Sequence, residues 1–553
     1  MNVNVTTPNT SAALCASLIK AFLAVKDRSV DRSERMLGSV LVLAAVMVAC
    51  SPSASDRPAS VFFASGADLQ SINPLVAVHP LAKQVQNHVL FLTLAEYDPS
   101  FAPQPRLASW SWSEDGTRLL LRLRDDVYWH DGIKTSAADV AWTLRMAMEP
   151  AVAYPRRRDL DAVRTVEVID SSLVAIDFMN PQPGFPDVLT DLAILPAHRF
   201  EGVTAADIRS AGFNLDPVGN GPFEFVEYRP NQRWVFRRWD SFPVDLGRPE
   251  IERFVVVVVD ESATKLAALT SGELDFAGIN PAHTEFVRNN PELEVRDYPL
   301  FFSYALILNL RRSPFDIREI RQAISLAIDR QLIIDAYLYG FGTVAHGAVS
   351  PEHPFHIDAA ESRYDPDSAR RILVSRGWRV GADGVRQRDG ERLEFSILTV
   401  GSADNALEQM IQAQLREIGV GVEIRQREMS SFLDLAQGAE RDFDAIVTGV
   451  PGVLSLTHLT AMFDGDGPLA YPGYDNPVFS NAVGQARDAT SAEELGDAWR
   501  LAQNILAEDL PTIWLYHARG VQGTNRRVTG VDLDLRGELA SIASWSVEGD
   551  VRH

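Results

Sequence analysis

The chain has 553 residues, 46% of them hydrophobic and 23% charged, with a formal net charge of −22. This is an ordinary globular balance at a length that calls for two or three domains. The acidity argues against a nucleic-acid-binding face, which must be basic. The scattered 35 glycines and 31 prolines exclude collagen-like and disordered classes.

Residues 37–49 form an uninterrupted apolar or small run behind Lys26, Arg28, Arg32 and Arg35. A bilayer span takes about 20 such residues, so the run suits the apolar core of a signal peptide. It ends in Met47-Val48-Ala49-Cys50, which resembles a bacterial lipobox with methionine where leucine is usual. In such signals the cysteine becomes the first mature residue and is acylated. Residues 1–49 are thus expected to be a signal peptide with an upstream extension, Cys50 the lipidation site, and 50–60 a polar tether. Met36 is a second possible start. Cleavage would remove Cys15 and leave no pair for a disulfide.

The elements that follow alternate. Arg118–Arg124 places leucines at 119, 121 and 123, a half-buried strand. Residues 254–259 are a phenylalanine and five valines, suited to a strand covered on both faces. A helix over Thr264–Thr270 ends at Ser271-Gly272, and Leu274–Ile279 returns as a strand, a βαβ pattern. Tyr304–Leu310 reads as a buried strand. Ile317–Leu338 carries Ile320, Ala323, Ile324, Ala327 and Ile328 on one stripe and reads as one long helix ending near a solvated Asp329-Arg330. Ala406–Ile418 is a helix closed by Gly419, Val420–Ile424 a strand, and Ala492–Ala507 a third clear helix. Interleaved strands and helices make the class α/β.

Local chemistry explains several motifs as architecture. Asp131-Gly132, in Trp129-His130-Asp131-Gly132, is a turn after a strand. Asp365 and Pro366 are a helix cap and first helical position. Gly219-Asn220-Gly221-Pro222 reads as a tight turn requiring positive φ.

Five ordered blocks together resemble the family 5 solute-binding proteins of ABC importers. They are Leu123–Ala138 with Asp139-Val140; Val218–Tyr228 with Arg237–Phe242 and Lys265–Asp275; Leu306–Asp329 with Gly340–Gly347; Tyr364–Gly377 with the segments behind it; and, more weakly, Tyr474–Pro477 with residues 507–517. The resemblance implies a two-lobed periplasmic-binding-protein fold with three domains. Residues 61–95, 215–299 and 510–553 would form the main domain of one lobe, 96–214 a domain inserted in it, and 300–509 the other lobe. Solute would bind in the cleft between lobes that close by hinge motion. A permease and an ATPase subunit would be the partners, with the membrane reached through the lipid anchor.

In peptide-binding members a "G-W-x-x-D" stretch after a strand supplies an aspartate for the peptide amine. The matching stretch here, Phe443–Leu459, keeps Gly449 but has Val450 for the tryptophan and Val453 for the aspartate. That departure favours a less cationic, modified or larger solute. The candidate ligand-binding residues are Asn73, Tyr304, Asn309, Gly449, Val450, Pro451, Gly452 and His458. For Asn309 a backbone-satisfying role at a strand end is at least as good a reading. Tyr97 and Trp110 are aromatic candidates whose alternative role is core.

No catalytic residue, cofactor or metal site is expected. Gly340 to Ala345 fits G-x-G-x-x-A but follows a helix, and no nucleophile-elbow, zincin or Walker A pattern occurs. His353 and His356 flank Pro354 and read as loop residues. A sensor or adhesion lipoprotein on the same fold, or less readily an enzyme, are the alternatives to an importer component.

Overall fold

The computed structural model describes residues 59–547, apart from 78, 359–362, 401–404, 466 and 468. The segment expected to be a signal peptide and Cys50 lie outside the described residues. Among these residues, no helix is long and apolar enough to cross a membrane.

Eleven strands make one mixed sheet. In chain order they are β1 (Ser60–Ser65), β2 (Phe223–Arg229), β3 (Arg233–Arg238), β4 (Arg253–Val258), β5 (Phe276–Gly278), β6 (Leu293–Leu308), β7 (Gly342–Val344), β8 (Glu394–Val400), β9 (Gly421–Arg427), β10 (Ala445–Pro451) and β11 (Thr512–Asn525). Across the sheet the order is β9-β8-β10-β6-β11-β5-β1-β4-β3-β2, with β7 also on β11. β4 and β5 both run parallel to β1, one on each side, and the helix Ser262–Thr270 connects them. The βαβ pattern read from the sequence is therefore present, with Gly272 in the left-handed region at φ +76 after the helix.

Two long strands, β6 and β11, run through both halves of the sheet. In their lobe-forming part, side chains alternate between two cores, as the period of two requires. Leu306 and Leu308 enter one cluster, and Ala305 and Ile307 enter the other. Ile513 and Leu515 join the first, and Trp514 the second, although they follow residue 509. Helices Arg318–Leu326, Pro366–Ser375 and Ala406–Glu417 cover the first face. Pro477–Asp488 and Ala492–Asp509 cover the second. The other half of the sheet has its own core, in which Phe276 stacks on Trp545 at 4.5 Å and on Phe63 at 5.5 Å.

A separate four-stranded antiparallel sheet holds Ala108–Trp112, Arg118–Leu123, Leu173–Phe178 and Val163–Val168 in that order. Leu119, Leu121 and Leu123 are buried. The helix Ala137–Met148 opens with a capping box between Ser136 and Asp139. Asp139 also accepts from Trp129 Nε1 at 3.3 Å and from Ala197 N–H at 2.8 Å. The turn and the helix start thus hold each other through one buried carboxylate.

Three sequence expectations are corrected. The stripe over Ile317–Leu338 is two helices, Arg318–Leu326 and Arg330–Tyr337. Asp329 accepts from Leu332 N–H and caps the second helix. Arg330 is not solvated: it is 4% exposed and donates to the carbonyls of Trp514 and Ser325. Gly219 and Gly221 do not adopt positive φ. They are needed because Leu90 packs against them, with its carbonyl oxygen 1.9 Å from where a Cβ of Gly219 would stand.

Candidate ligand cleft

The site is built where β6 and β11 pass between the two halves of the sheet. Their antiparallel ladder breaks there. Pro299 faces Arg519, and the next pair is Ser303 with His517. Residues 300–302 therefore stand opposite Ala518 alone, a bulge that frees Phe301 and Phe302 from pairing with β11. β10 then borders β6, with Tyr304 facing Gly449, Ser303 facing Val450 and Phe302 facing Pro451. Gly452 N–H donates to Phe301 O at 2.8 Å.

Glycine at 449 makes room for the Phe302 ring, which would have to shift for any larger residue. A Cβ there would lie 2.2 Å from the Phe302 ring, which crosses the strand at that point. Phe302 meets Tyr304 edge-on at 5.6 Å, and Tyr304 stacks on Tyr516 at 4.9 Å. Burial raises the Tyr304 hydroxyl's pKa, with a further push from the Glu408 carboxylate. From the 96–214 segment, the Phe101 ring reaches within 6.0 Å of Phe301.

Beside this aromatic file lies a small pocket of ≈ 20 Å³, lined among others by Phe301, Ser303, Ser350, His353, Gly452 and His458. That is room for a water-sized group. His353 Nδ1 accepts from Phe355 N–H at 3.0 Å, so Nε2 carries the proton and donates to Leu454 O at 3.2 Å. His458 Nδ1 accepts from Val453 N–H at 3.3 Å. His517 Nδ1 lies 2.7 Å from Ser303 Oγ. At the rim Arg519 bridges Asp297 at 2.7 Å and Glu352 at 3.5 Å, and Ser350 Oγ donates to Glu352.

Burial holds these imidazoles neutral. It lowers His353 to about 4, His458 to about 3 and His517 to about 4, from the usual 6.5. In the unfolded chain each would take a proton near pH 6.5. The unfolded state then binds more protons below that pH, so stability is full above it and falls as pH drops toward the folded values. The melting temperature is expected to fall between pH 6.5 and 5, above the range where carboxylates titrate. The fall should be shallower in a His353→Gln/His458→Gln variant. An unchanged slope by pH-dependent calorimetry would remove these two side chains from the account.

Among the candidate residues, the fold brings together Tyr304, Gly449, Val450, Pro451, Gly452 and His458. Asn73 and Asn309 lie apart from them. Asn73 is fully buried, donates to Asn214 Oδ1 at 2.9 Å and accepts from Leu75 N–H. Asn309 donates to the carbonyls of Arg441 and Phe443, the backbone-satisfying role. Tyr97 bonds Asp187 at 3.1 Å, and Trp110 packs on Phe185 at 4.3 Å. Sequence reading missed Phe301, Phe302, Ser303, Ser350 and His517 at the site. The one available signal was histidine density, three of eleven lying within 346–356. Among the described residues no three His, Cys, Asp or Glu converge as metal ligands.

Residues 102–460 match the model of the bacterial extracellular solute-binding proteins, family 5. The chain is 25% identical over 539 residues to the oligopeptide-binding protein AppA of Bacillus subtilis (strain 168), covering 92% of this chain and 98% of that protein. The AppA structure in complex with a nonapeptide matches with a TM-score of 0.73 at 23% identity, covering 88% of this chain and 98% of that one. NikZ of Campylobacter jejuni in complex with Ni(L-His) matches at 0.75 and 25% identity, over 89% of this chain and all of that one. The α/β fold is thus the two-lobed fold of these binding proteins. With residues 102–460, well over half of its length, inside that family match, the chain belongs to the bacterial extracellular solute-binding proteins of family 5.

Proposed function

We propose that this chain is the lipid-anchored capture component of an ABC importer. It takes a peptide-like or other small polar solute into the cleft at the β6–β11 crossover and delivers it to a permease. The observation that carries this reading is the ladder break at Pro299–Ser303, between two separately cored halves of one sheet. Two strands with a local break form a hinge that needs no core to be disrupted. Family membership supports the reading, and so do relatives that carry a nonapeptide or a nickel–histidine complex. Met47 to Cys50 supports the anchor. The pocket residues Gly449 to Gly452, Tyr304 and His458 are the proposed contacts. Asn73 and Asn309 hold the walls in place.

Thermal-shift screening of the mature chain against peptides, sugars, opines and metal complexes tests the reading. A true solute at a hundred times its Kd adds about 2.7 kcal/mol, seen as a rise on the order of a few degrees. Small-angle scattering should report a smaller radius with that solute. Turnover of the hit, or no shift in any class, overturns the proposal. Palmitate labelling should mark the wild-type chain and not Cys50→Ala.

A further inference from the structure

The pocket at the crossover is walled without a formal charge. None of its lining residues is Asp, Glu, Lys or Arg, and its two imidazoles are neutral. The carboxylate at its rim, Glu352, is turned onto Ser350 Oγ and Arg519, and Asp297 also faces Arg519. The polar side chains of the wall are mostly engaged. Ser303 is bonded to His517, and both ring nitrogens of His353 are bonded.

His458 differs. Its Nδ1 takes Val453 N–H, so the proton sits on Nε2. Among the described residues that N–H has no hydrogen-bond partner. It stands beside Gly452, where a Cβ would come within 3.7 Å of Nε2 and of Phe301 Cβ. Having no side chain, Gly452 leaves the space beside the imidazole edge and Phe301 Cβ unfilled.

We infer that this pocket selects an uncharged acyl group of the solute, its carbonyl oxygen filling the water-sized space to accept from His458 Nε2 while its apolar part stays at the mouth beside Phe301. The inference rests on the capture reading and narrows its solute class. A free ammonium carries only donors. It would face a donor and lose its hydration with no counter-charge. A carboxylate would find the donor but no counter-charge either. A neutral carbonyl satisfies the donor and leaves nothing charged behind.

The test uses the mature chain and matched amine and N-acetyl probes: Leu-Phe with N-acetyl-Leu-Phe, and glucosamine with N-acetylglucosamine. Calorimetry should show the acetylated member of a pair binding at least about tenfold tighter, the scale of one buried hydrogen bond. His458→Phe keeps a flat ring without the donor and should remove most of that preference. Should that variant fail to fold, Gly452→Val, which fills the space and leaves His458 in place, should do the same. An amine that binds as well as its acetylated form overturns the inference, as does a preference unchanged in a folded His458→Phe. If no probe binds but a tryptic casein digest stabilises the chain, the inference falls and the capture reading stands. If neither the probes, the digest nor any class in the wider screen stabilises it, the capture reading itself falls.

Discussion

Gly219→Ala is expected to destabilise the protein by about 3 kcal/mol or more, at the upper end for overpacking. The added Cβ would sit 1.9 Å from the Leu90 carbonyl oxygen and 2.9 Å from its carbon. Backbone cannot rotate aside as a side chain can. That carbonyl also accepts Gly221 N–H at 2.8 Å, while Gly219 O accepts His130 N–H at 2.8 Å. Asn220 Oδ1 takes Leu92 N–H at 2.9 Å. The four-residue motif is therefore a staple joining residues 90–92 to the turn at 129–132, and moving one strand of it breaks several bonds together. Gly212→Ala is the control: its Cβ would meet nothing within 4 Å, and its φ is not positive. It should stay within about 0.5 kcal/mol of wild type. Urea unfolding of both variants decides the matter. A Gly219→Ala protein as stable as wild type would mean that the close approach is relieved at no cost.

Asp275→Ala should cost about 2–3 kcal/mol, below the full penalty for stranding one partner of a buried ion pair because Arg527 is 24% exposed and keeps some hydration. Asp275 is fully buried and accepts both Arg527 Nε and Nη2 at 2.6 Å, and Phe62 N–H at 2.9 Å. Arg527 also donates to Ser60 O at 2.8 Å. One carboxylate thus ties β1 and the entry to β5 to the chain beyond β11. Removing it takes the charged partner from the guanidinium, which keeps Ser60 O, and the carboxylate contact from Phe62 N–H. Replacing both partners, Asp275→Leu with Arg527→Met, should recover most of the loss, because desolvation offsets much of a buried pair's attraction. A double variant no better than Asp275→Ala would show that the pair contributes more than it costs.

Much of the architecture was legible because it rests on local rules. Leu119, Leu121 and Leu123 alternate, and their strand is half-buried. Asp365 accepts Ser368 N–H with Pro366 behind it, and the helix starts there. β6 was legible only from Tyr304 onward. Its first half mixes Glu294, Arg296 and Asp297 with Pro299, and no apolar alternation marks it. It is a strand because β11 pairs with it from Leu293. Asp329 shows the opposite failure. The apolar stripe runs on through Ile328, so periodicity reads one helix, yet a capping aspartate begins a second.

By itself the sequence determined the fold class and the family blocks in their order, and it placed Val450 and Val453 where the resemblance implies a tryptophan and an aspartate. Each depends on neighbours a few residues apart, or on a pattern repeated along the chain. Only the tertiary structure decided what the pocket is. It gathers Phe301 to Ser303, Ser350, His353 and Gly452 to His458 from segments far apart in the chain, and it parts Asn73 and Asn309 from them. It also decided the charge of the wall. An imidazole is neutral there because burial by segments far apart in the chain disfavours its charged form, while a nearby N–H, that of Phe355 for His353 and of Val453 for His458, occupies its acceptor nitrogen.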